Sequence, residues 1–408
     1  MKLKLKSIMI FACMIVLTTG CTAKNNELII ENPTQYNHGT DYQYYWHQQG
    51  QGQGITESED GYYFINGSYL YYMDKHSMEP VLLDNNPSND CSPDKEDSIP
   101  QNCNAYINNS FIHFQGTITY YDNHLYVLHT SERTEKDVFG TNQYELIRMN
   151  KDGTGRKMVR QFDTKPTVVI HRNHIYFTKN PMKEINAENP SILSVPLANP
   201  KQKPTTLYTI DLSDLHFIDL IAYGDHLYAV ESGRNMYRTI KHNLSSGENE
   251  IMYSEYEGNA YITGMLKDSL VFNIFTGDPE DEKSWDQYRS NLEGTDVSLL
   301  PIKLPVLSKL YVDENYYYLN PLSMYIKEYQ LDHLKDEMII YDLNYEEVER
   351  VDMSMRELYA VEIVGNSQHM FLRTTAGSNY ERLYYLDKST IGSGNAKLEL
   401  LVESAAPQ

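Results

Sequence analysis

The chain is 408 residues long, with 35 Lys+Arg against 56 Asp+Glu and a formal net charge of −21. That acidity excludes a protein that grips nucleic acid through a basic face, because neutralising phosphates needs a clustered Lys/Arg excess. The 41% apolar content and 35 tyrosines exclude an intrinsically disordered chain, which lacks the apolar surface to offset its ordering entropy.

Residues 1–21 read MKLKLKSIMIFACMIVLTTGC: Lys2, Lys4 and Lys6, then an apolar run from Ile8 to Leu17, then small residues and a cysteine. This pattern predicts a signal peptide over 1–20, since the apolar run is too short to span a bilayer as a mature helix. The ending Leu17-Thr18-Thr19-Gly20-Cys21 is similar to the bacterial lipobox, in which cleavage precedes a lipid-modified cysteine. Cys21 is therefore the expected lipidation (palmitate-type) site, and an ordinary cleaved signal with an incidental Cys21 is the alternative. The expected location is the extracytoplasmic face of a bacterial cell membrane, held there by lipid, because an acidic body is repelled by anionic headgroups.

From Thr22 to Gly54 the chain is largely polar and ends in QQGQGQG, which predicts a flexible tether over 21–54. Gly50, Gly52 and Gly54 lack the strand–turn–helix context of a phosphate loop. Cys91 and Cys103 are the cysteines left to the folded part of a mature chain in an oxidising compartment, and they are expected to pair across SPDKEDSIPQN. A metal site with His113 as third ligand is the alternative, although two thiols and a distant histidine do not match zinc spacing.

A turn followed by an alternating strand recurs along the rest of the chain. It appears at Asp60-Gly61-Tyr62-Tyr63, Asn123-His124-Leu125-Tyr126, Asn173-His174-Ile175-Tyr176, Asp225-His226-Leu227-Tyr228, Asp268-Ser269-Leu270-Val271, Glu314-Asn315-Tyr316-Tyr317 and Gln368-His369-Met370-Phe371. Each copy continues into a second strand, a polar turn and a third strand, as in YELIRMNKDGTGRKMV from Tyr144. Apolar stretches before the anchors, such as Thr167 to Ile170 and Phe217 to Ala222, supply a fourth. Four strands per unit at a period in the forties to fifties mark a β-propeller. The expected fold is all-β, a seven-bladed propeller over residues 55–403 with a short tail at 404–408; six or eight blades also fit the pattern.

The chain resembles the uncharacterised extracytoplasmic bacterial propeller lipoproteins whose blades look like low-density-lipoprotein-receptor-type repeats. Its Cys103-Asn104-Ala105-Tyr106 matches the ending of the cysteine-rich loop that members often carry after the first blade. It departs from them in having only Cys91 upstream and Asp84 where a further cysteine is expected. The resemblance implies a compartment and a fold, and it carries no catalytic residue.

Long connections fall at one point of the unit, between second and third strands: Thr130 to Gln143, Asn180 to Pro190, Phe275 to Gln287 and Asn320 to Glu337. Loops inserted at equivalent points emerge on one face, where binding residues concentrate. Arg133, Arg234, Trp285, Tyr325, Tyr329 and Arg373 are the candidate contacts, since arginines and aromatics dominate interface energetics. Tolerance of insertion in exposed loops is the competing explanation. The carboxylates of Asp278, Glu280, Asp281 and Glu282 lack the spacing of a calcium loop, and Asn150, Asp152 and Thr154 are explained by a turn. His124, His174, His226 and His369 share one slot, expected on the face opposite the long loops and spread too widely for one metal. No metal and no cofactor is called for by any motif.

The chain shows no HExxH, no G-x-S-x-G and no P-loop. Propeller enzymes gather site residues from distant positions, so the question of catalysis stays open and leans towards none. The expected function is a membrane-anchored binding or scaffold lipoprotein for a protein, peptide or cell-wall glycan. A glycan-acting hydrolase or lyase with an axial site is the alternative, and a structural partner in a membrane assembly is a third.

Overall fold

Period-two alternation becomes antiparallel hairpins throughout. Gly61–Asn66, for example, pairs with Tyr69–Asp74 so that Ile65 faces Leu70 across the two-residue turn Gly67-Ser68. Gly67 takes a φ of +59° there, in the left-handed region that such tight turns demand and that glycine enters without strain.

The computed structural model describes residues 35–47, 54–85, 91, 103–107, 117–130, 144–179, 189–210, 215–233, 237–256, 259–276, 286–304, 308–321, 336–354, 360–376 and 380–405. Among them, twenty-eight strands form seven four-stranded antiparallel sheets, each made of four strands consecutive in sequence. The sheets are the blades of a seven-bladed β-propeller, blades 1 to 7 spanning residues 55–82, 118–162, 168–209, 215–252, 260–299, 308–352 and 360–405. No helix among the described residues is long and apolar enough to cross a membrane.

The first strands are Ile55–Glu57, Ile118–Tyr121, Val168–His171, Leu215–Tyr223, Ala260–Met265, Ser308–Val312 and Ala360–Gly365. First strands of successive blades touch one another and line the axis, while fourth strands such as Thr205–Thr209 and Asn249–Met252 are largely exposed at the rim. The recurrent anchor, Tyr63 in blade 1, sits near the start of every second strand. The stretches expected as a fourth strand, Thr167 to Ile170 and Phe217 to Ala222, are the first strands of blades 3 and 4.

Apolar residues fill the clefts between blades: Leu70, Leu125 and Val127 between blades 1 and 2, Leu128, Ile175 and Phe177 between 2 and 3, Met338, Ile340 and Met370 between 6 and 7. A second regularity lies in the turns between third and fourth strands. Asp74, Asn243, Asn291 and Asp342 each open such a turn and accept backbone N–H bonds from residues two to four further on. Asn and Asp suit this position because a short side-chain acceptor mimics a backbone carbonyl.

Because every blade is continuous in sequence, no shared strand joins blade 7 to blade 1. The seam is held by side chains instead. Asn66 donates to Ser404 Oγ at 2.7 Å and to the Glu381 carbonyl at 3.2 Å, and the Gly67 N–H donates to Glu381 Oε2 at 2.7 Å. The last strand, Glu399–Ala405, runs two residues past the expected end of the propeller at 403.

Residues 35–47 depart from the expected tether. Tyr42, Tyr44, Tyr45 and Trp46 are buried, with Trp46 only 1% exposed, and a 3-10 turn over Tyr44–Trp46 contacts the first strands of blades 4 and 7. The physical reason is composition: Tyr-Gln-Tyr-Tyr-Trp carries far more apolar surface than a tether leaves in water.

Candidate functional site

The axial channel is the natural place for a propeller site, and its contents follow from residues 35–47. At the turns joining first to second strands, Arg172 grips this segment. Its backbone N–H donates to the Thr40 carbonyl at 2.7 Å, and its guanidinium meets both carboxylate oxygens of Asp41 at 2.9 and 3.2 Å. A two-pronged Arg–carboxylate pair fixes orientation as well as charge.

Beside it, His171 Nδ1 accepts the Tyr42 N–H at 3.0 Å while Nε2 donates to the Gly224 carbonyl at 2.7 Å. A ring with one accepting nitrogen is neutral. Burial pushes the His171 pKa down to about 4, against the opposing pull of Asp41.

Further along the segment, Gln43 is tied to blade 1. Its Nε2 donates to the Glu57 carbonyl at 2.7 Å, and its Oε1 accepts from Thr56 Oγ1 at 2.8 Å and from the Glu57 N–H at 2.9 Å. Glu57 itself accepts from Tyr45 OH at 3.2 Å and Asn366 Nδ2 at 3.1 Å, and pairs with Lys75 at 2.6 Å. Tyr44 OH donates to Glu314 of blade 6 at 3.2 Å. Thus residues 35–47 bind blades 1, 3, 4 and 6 at once.

Tyr42, His47 and Asp219 form a buried relay, with Tyr42 OH 3.0 Å from His47 Nδ1 and His47 Nε2 2.8 Å from Asp219 Oδ2. A carboxylate orienting an imidazole is the arrangement of a general base. Here the third member is the chain's own tyrosine, and the side chains of His47 and Asp219 are 5% and 4% exposed. The relay ties residues 35–47 to the first strand of blade 4.

Above it lies Glu362, on the first strand of blade 7. Burial pushes its pKa up to about 7; Arg373 pulls it back, Glu381 pushes it further up and Lys309 pulls it down. Arg373 Nη1 is 3.5 Å from Glu362 and its Nε is 3.1 Å from Glu381, while Nη2 donates to the carbonyls of Gly54 at 3.2 Å and Ile65 at 2.7 Å. The guanidinium lies so close to Gly54 that a side chain there would collide with it. Lys309, on the neighbouring first strand, has its pKa lowered by burial, with Glu362 opposing.

A cavity of about 20 Å³ separates Trp46, Ile55, Phe371 and Leu383, with Glu362 and Arg373 also lining it. That is room for about one water, whereas small-molecule pockets run to several hundred Å³. A carboxylic acid that is half ionised near neutral pH stands beside this cavity.

The nominated residues separate sharply. Arg373 is a correction: it is 6% exposed and ties blade 7 to blade 1, because its guanidinium is held between two carboxylates and two backbone carbonyls. Arg133, Arg234, Trp285, Tyr325 and Tyr329 lie outside the described residues, as do Cys21, His113 and the acidic stretch from Asp278 to Glu282. The connections carrying Arg133, Trp285, Tyr325 and Tyr329 do join second to third strands.

Cys91 and Cys103 form a disulfide, Cα to Cα 5.5 Å. Asp84 reaches within 4.8 Å of the sulfurs, but bonded sulfurs offer no thiolate to a metal. Asn150 and Asp152 serve their turn, Asp152 accepting from Thr154. His124, His174, His226 and His369 begin second strands, at the end opposite the long connections. His369 is buried and bonded to Tyr62 OH at 2.9 Å. The residues missed were Asp41, His47, Asp219 and Glu362; the aromatic density of 42–46 was the available signal for the first two.

No protein-family model matches this chain, and no curated protein matches it. Solved structures share its fold. Apo prolyl oligopeptidase B from Galerina marginata aligns at a TM-score of 0.51 and 10% identity, over 84% of this chain and 51% of that one, so the chain spans about half the length of that protein. TolB from Acinetobacter baumannii aligns at 0.38 and 14% identity, over 87% of this chain and 82% of that one. A nidogen/laminin complex aligns at 0.38 and 11% identity, over 71% and 91%. At such identities the likeness concerns the fold alone.

Proposed function

We propose that this chain is a lipid-anchored extracytoplasmic propeller that binds or scaffolds and does not catalyse, holding a protein, peptide or cell-wall glycan on the face of the long second-to-third-strand connections. The observation that carries the reading is the occupied axis: residues 35–47 fill the part of the channel bounded by Glu57, Asp219 and Glu314, and each of these carboxylates is engaged by a side chain of the segment. A site for a glycan between two axial carboxylates would need that volume free. The resemblance to propeller lipoproteins and the lipobox-like ending at Cys21 support the anchored, extracytoplasmic setting.

The test has two parts. Cys21→Ser should release the protein from the membrane fraction, and continued anchoring would defeat the lipid assignment. Shortening the four long connections should abolish capture of purified cell-wall glycan or of a cross-linked protein partner without changing the melting temperature. If instead Asp219→Asn or Glu362→Gln abolishes turnover in an oligosaccharide panel that the native protein cleaves, the binding reading fails and the axial enzyme replaces it.

A further inference from the structure

The axial segment has a direction. Residues 35–41 lie among the turns between first and second strands: Arg172 also donates to the Gln35 carbonyl at 3.1 Å, and Tyr36 stacks on Tyr223 with ring centroids 6.1 Å apart. Tyr223 ends the first strand of blade 4 at that face. His47 meets Asp219, four residues back along the same strand and hence deeper in the channel. Trp46 lines one small cavity together with Gly54 and Ile55, at the far end of the first strand of blade 1. The chain enters through the face of the first-to-second-strand turns and climbs to mid-channel before blade 1 begins.

We propose that residues 35–47 are an orienting strap: they fix the attachment point of the membrane anchor at the centre of that face, so the long-loop face is turned away from the bilayer. This rests on lipidation at Cys21. Fourteen residue steps separate Cys21 from Gln35, which reach at most about 50 Å when fully extended. A blade of four strands puts the rim about 25 Å from the axis, and strands of six or seven residues are about 20 Å tall.

Laying the long-loop face on the membrane would require the chain to cross from axis to rim and then scale the side of the ring. That path consumes about 45 Å, almost the whole contour, before the loops themselves are cleared. With the entrance face towards the bilayer, a short path suffices. A mature body of net charge 32 − 56 = −24, without the three lysines of residues 1–20, gains no adhesion to anionic headgroups that would overrule the strap. The long-loop face therefore meets a partner from the outer side, which favours a wall glycan or a protein presented there over a membrane lipid.

The experiment uses the full-length lipidated protein in vesicles whose headgroups carry an energy-transfer acceptor. A donor is placed by His76→Cys, on a turn at the entrance face with a side chain 95% exposed, or by Lys179→Cys, exposed at the opposite end of a second strand. Transfer should be greater from position 76 than from 179. Equal or reversed transfer in protein that still floats with vesicles overturns the strap and leaves anchoring intact; protein with intact Cys21 that fails to float overturns both. Arg172→Gln, which loosens the strap while leaving the apolar core, should narrow the difference without loss of flotation. An unchanged difference in that variant overturns the strap as its cause.

Discussion

Replacing Trp46 by alanine isolates the axial segment from the blades. Trp46 is 1% exposed and packs with ring centroids 5.1 Å from Tyr45, 5.6 Å from Phe371 and 5.9 Å from Tyr62. A buried indole removes about 150–250 Å² from water, worth roughly 4–6 kcal/mol at about 25 cal/mol/Å². Measured Trp→Ala losses of about 3–5 kcal/mol set the expectation at about 4 kcal/mol. The new void merges with the existing cavity beside Glu362, so water reaches the carboxyl and its pKa falls back towards the ordinary range. The assay is urea unfolding followed by circular dichroism and by fluorescence. Since Trp46 and Trp285 are the two tryptophans of the chain, the emission lost in the variant, read as the parent-minus-variant difference, should be the blue-shifted emission of a buried indole. A loss below about 1 kcal/mol, with the same emission maximum as the parent, would refute the packing of this segment in the axis.

Glu362→Gln should stabilise the protein at pH 7.5 and leave it unchanged near pH 4. The native carboxyl, with its pKa raised to about 7, stays protonated while the unfolded one ionises from about 4.5, so stability is lost as pH rises through that window. His171 acts with the opposite sign: held neutral down to about pH 4, it contributes stability that is present above about 6.5 and lost as pH falls towards 4. His171→Gln should therefore flatten the acid limb of a stability–pH profile recorded by thermal melts. Arg373→Met leaves Glu362 and Glu381 without their shared cation and should destabilise by about 3–5 kcal/mol, with Arg373→Lys a partial rescue because two carbonyls and two carboxylates need the planar fork. Reducing the disulfide, or Cys91→Ser, should remove about 3 kcal/mol, read from the shift in urea midpoint.

The blades were legible in the sequence because their determinants are local. Alternation and turn residues act over a few positions, so Asn123-His124-Leu125-Tyr126 and its counterparts announced a strand wherever they stood, which the structure makes the second of each blade, and their count gave seven blades. The pairing of Cys91 with Cys103 followed from compartment and number. Residues 35–47 were misjudged because QQGQGQG beyond them and the polar stretch before them set the local average, which hid Tyr42, Tyr44, Tyr45 and Trp46. Arg373 looked like a contact because an arginine carries no local sign of whether its partners are a ligand or Glu362, Glu381 and two carbonyls.

What the sequence determined by itself is the repeat, strand period, turn chemistry and blade number, written in neighbours that interact within a few residues, together with the cysteine pair, 12 positions apart, which cysteine number marks. What only the tertiary structure decided is how the ring is closed and its axis filled. Those outcomes depend on pairs such as Tyr42 with His171, 129 positions apart, and Arg373 with Gly54, 319 positions apart. Such pairs meet only after seven blades have curved into a ring, and the burial that sets the ionisation of Glu362 and His171 exists only once they have.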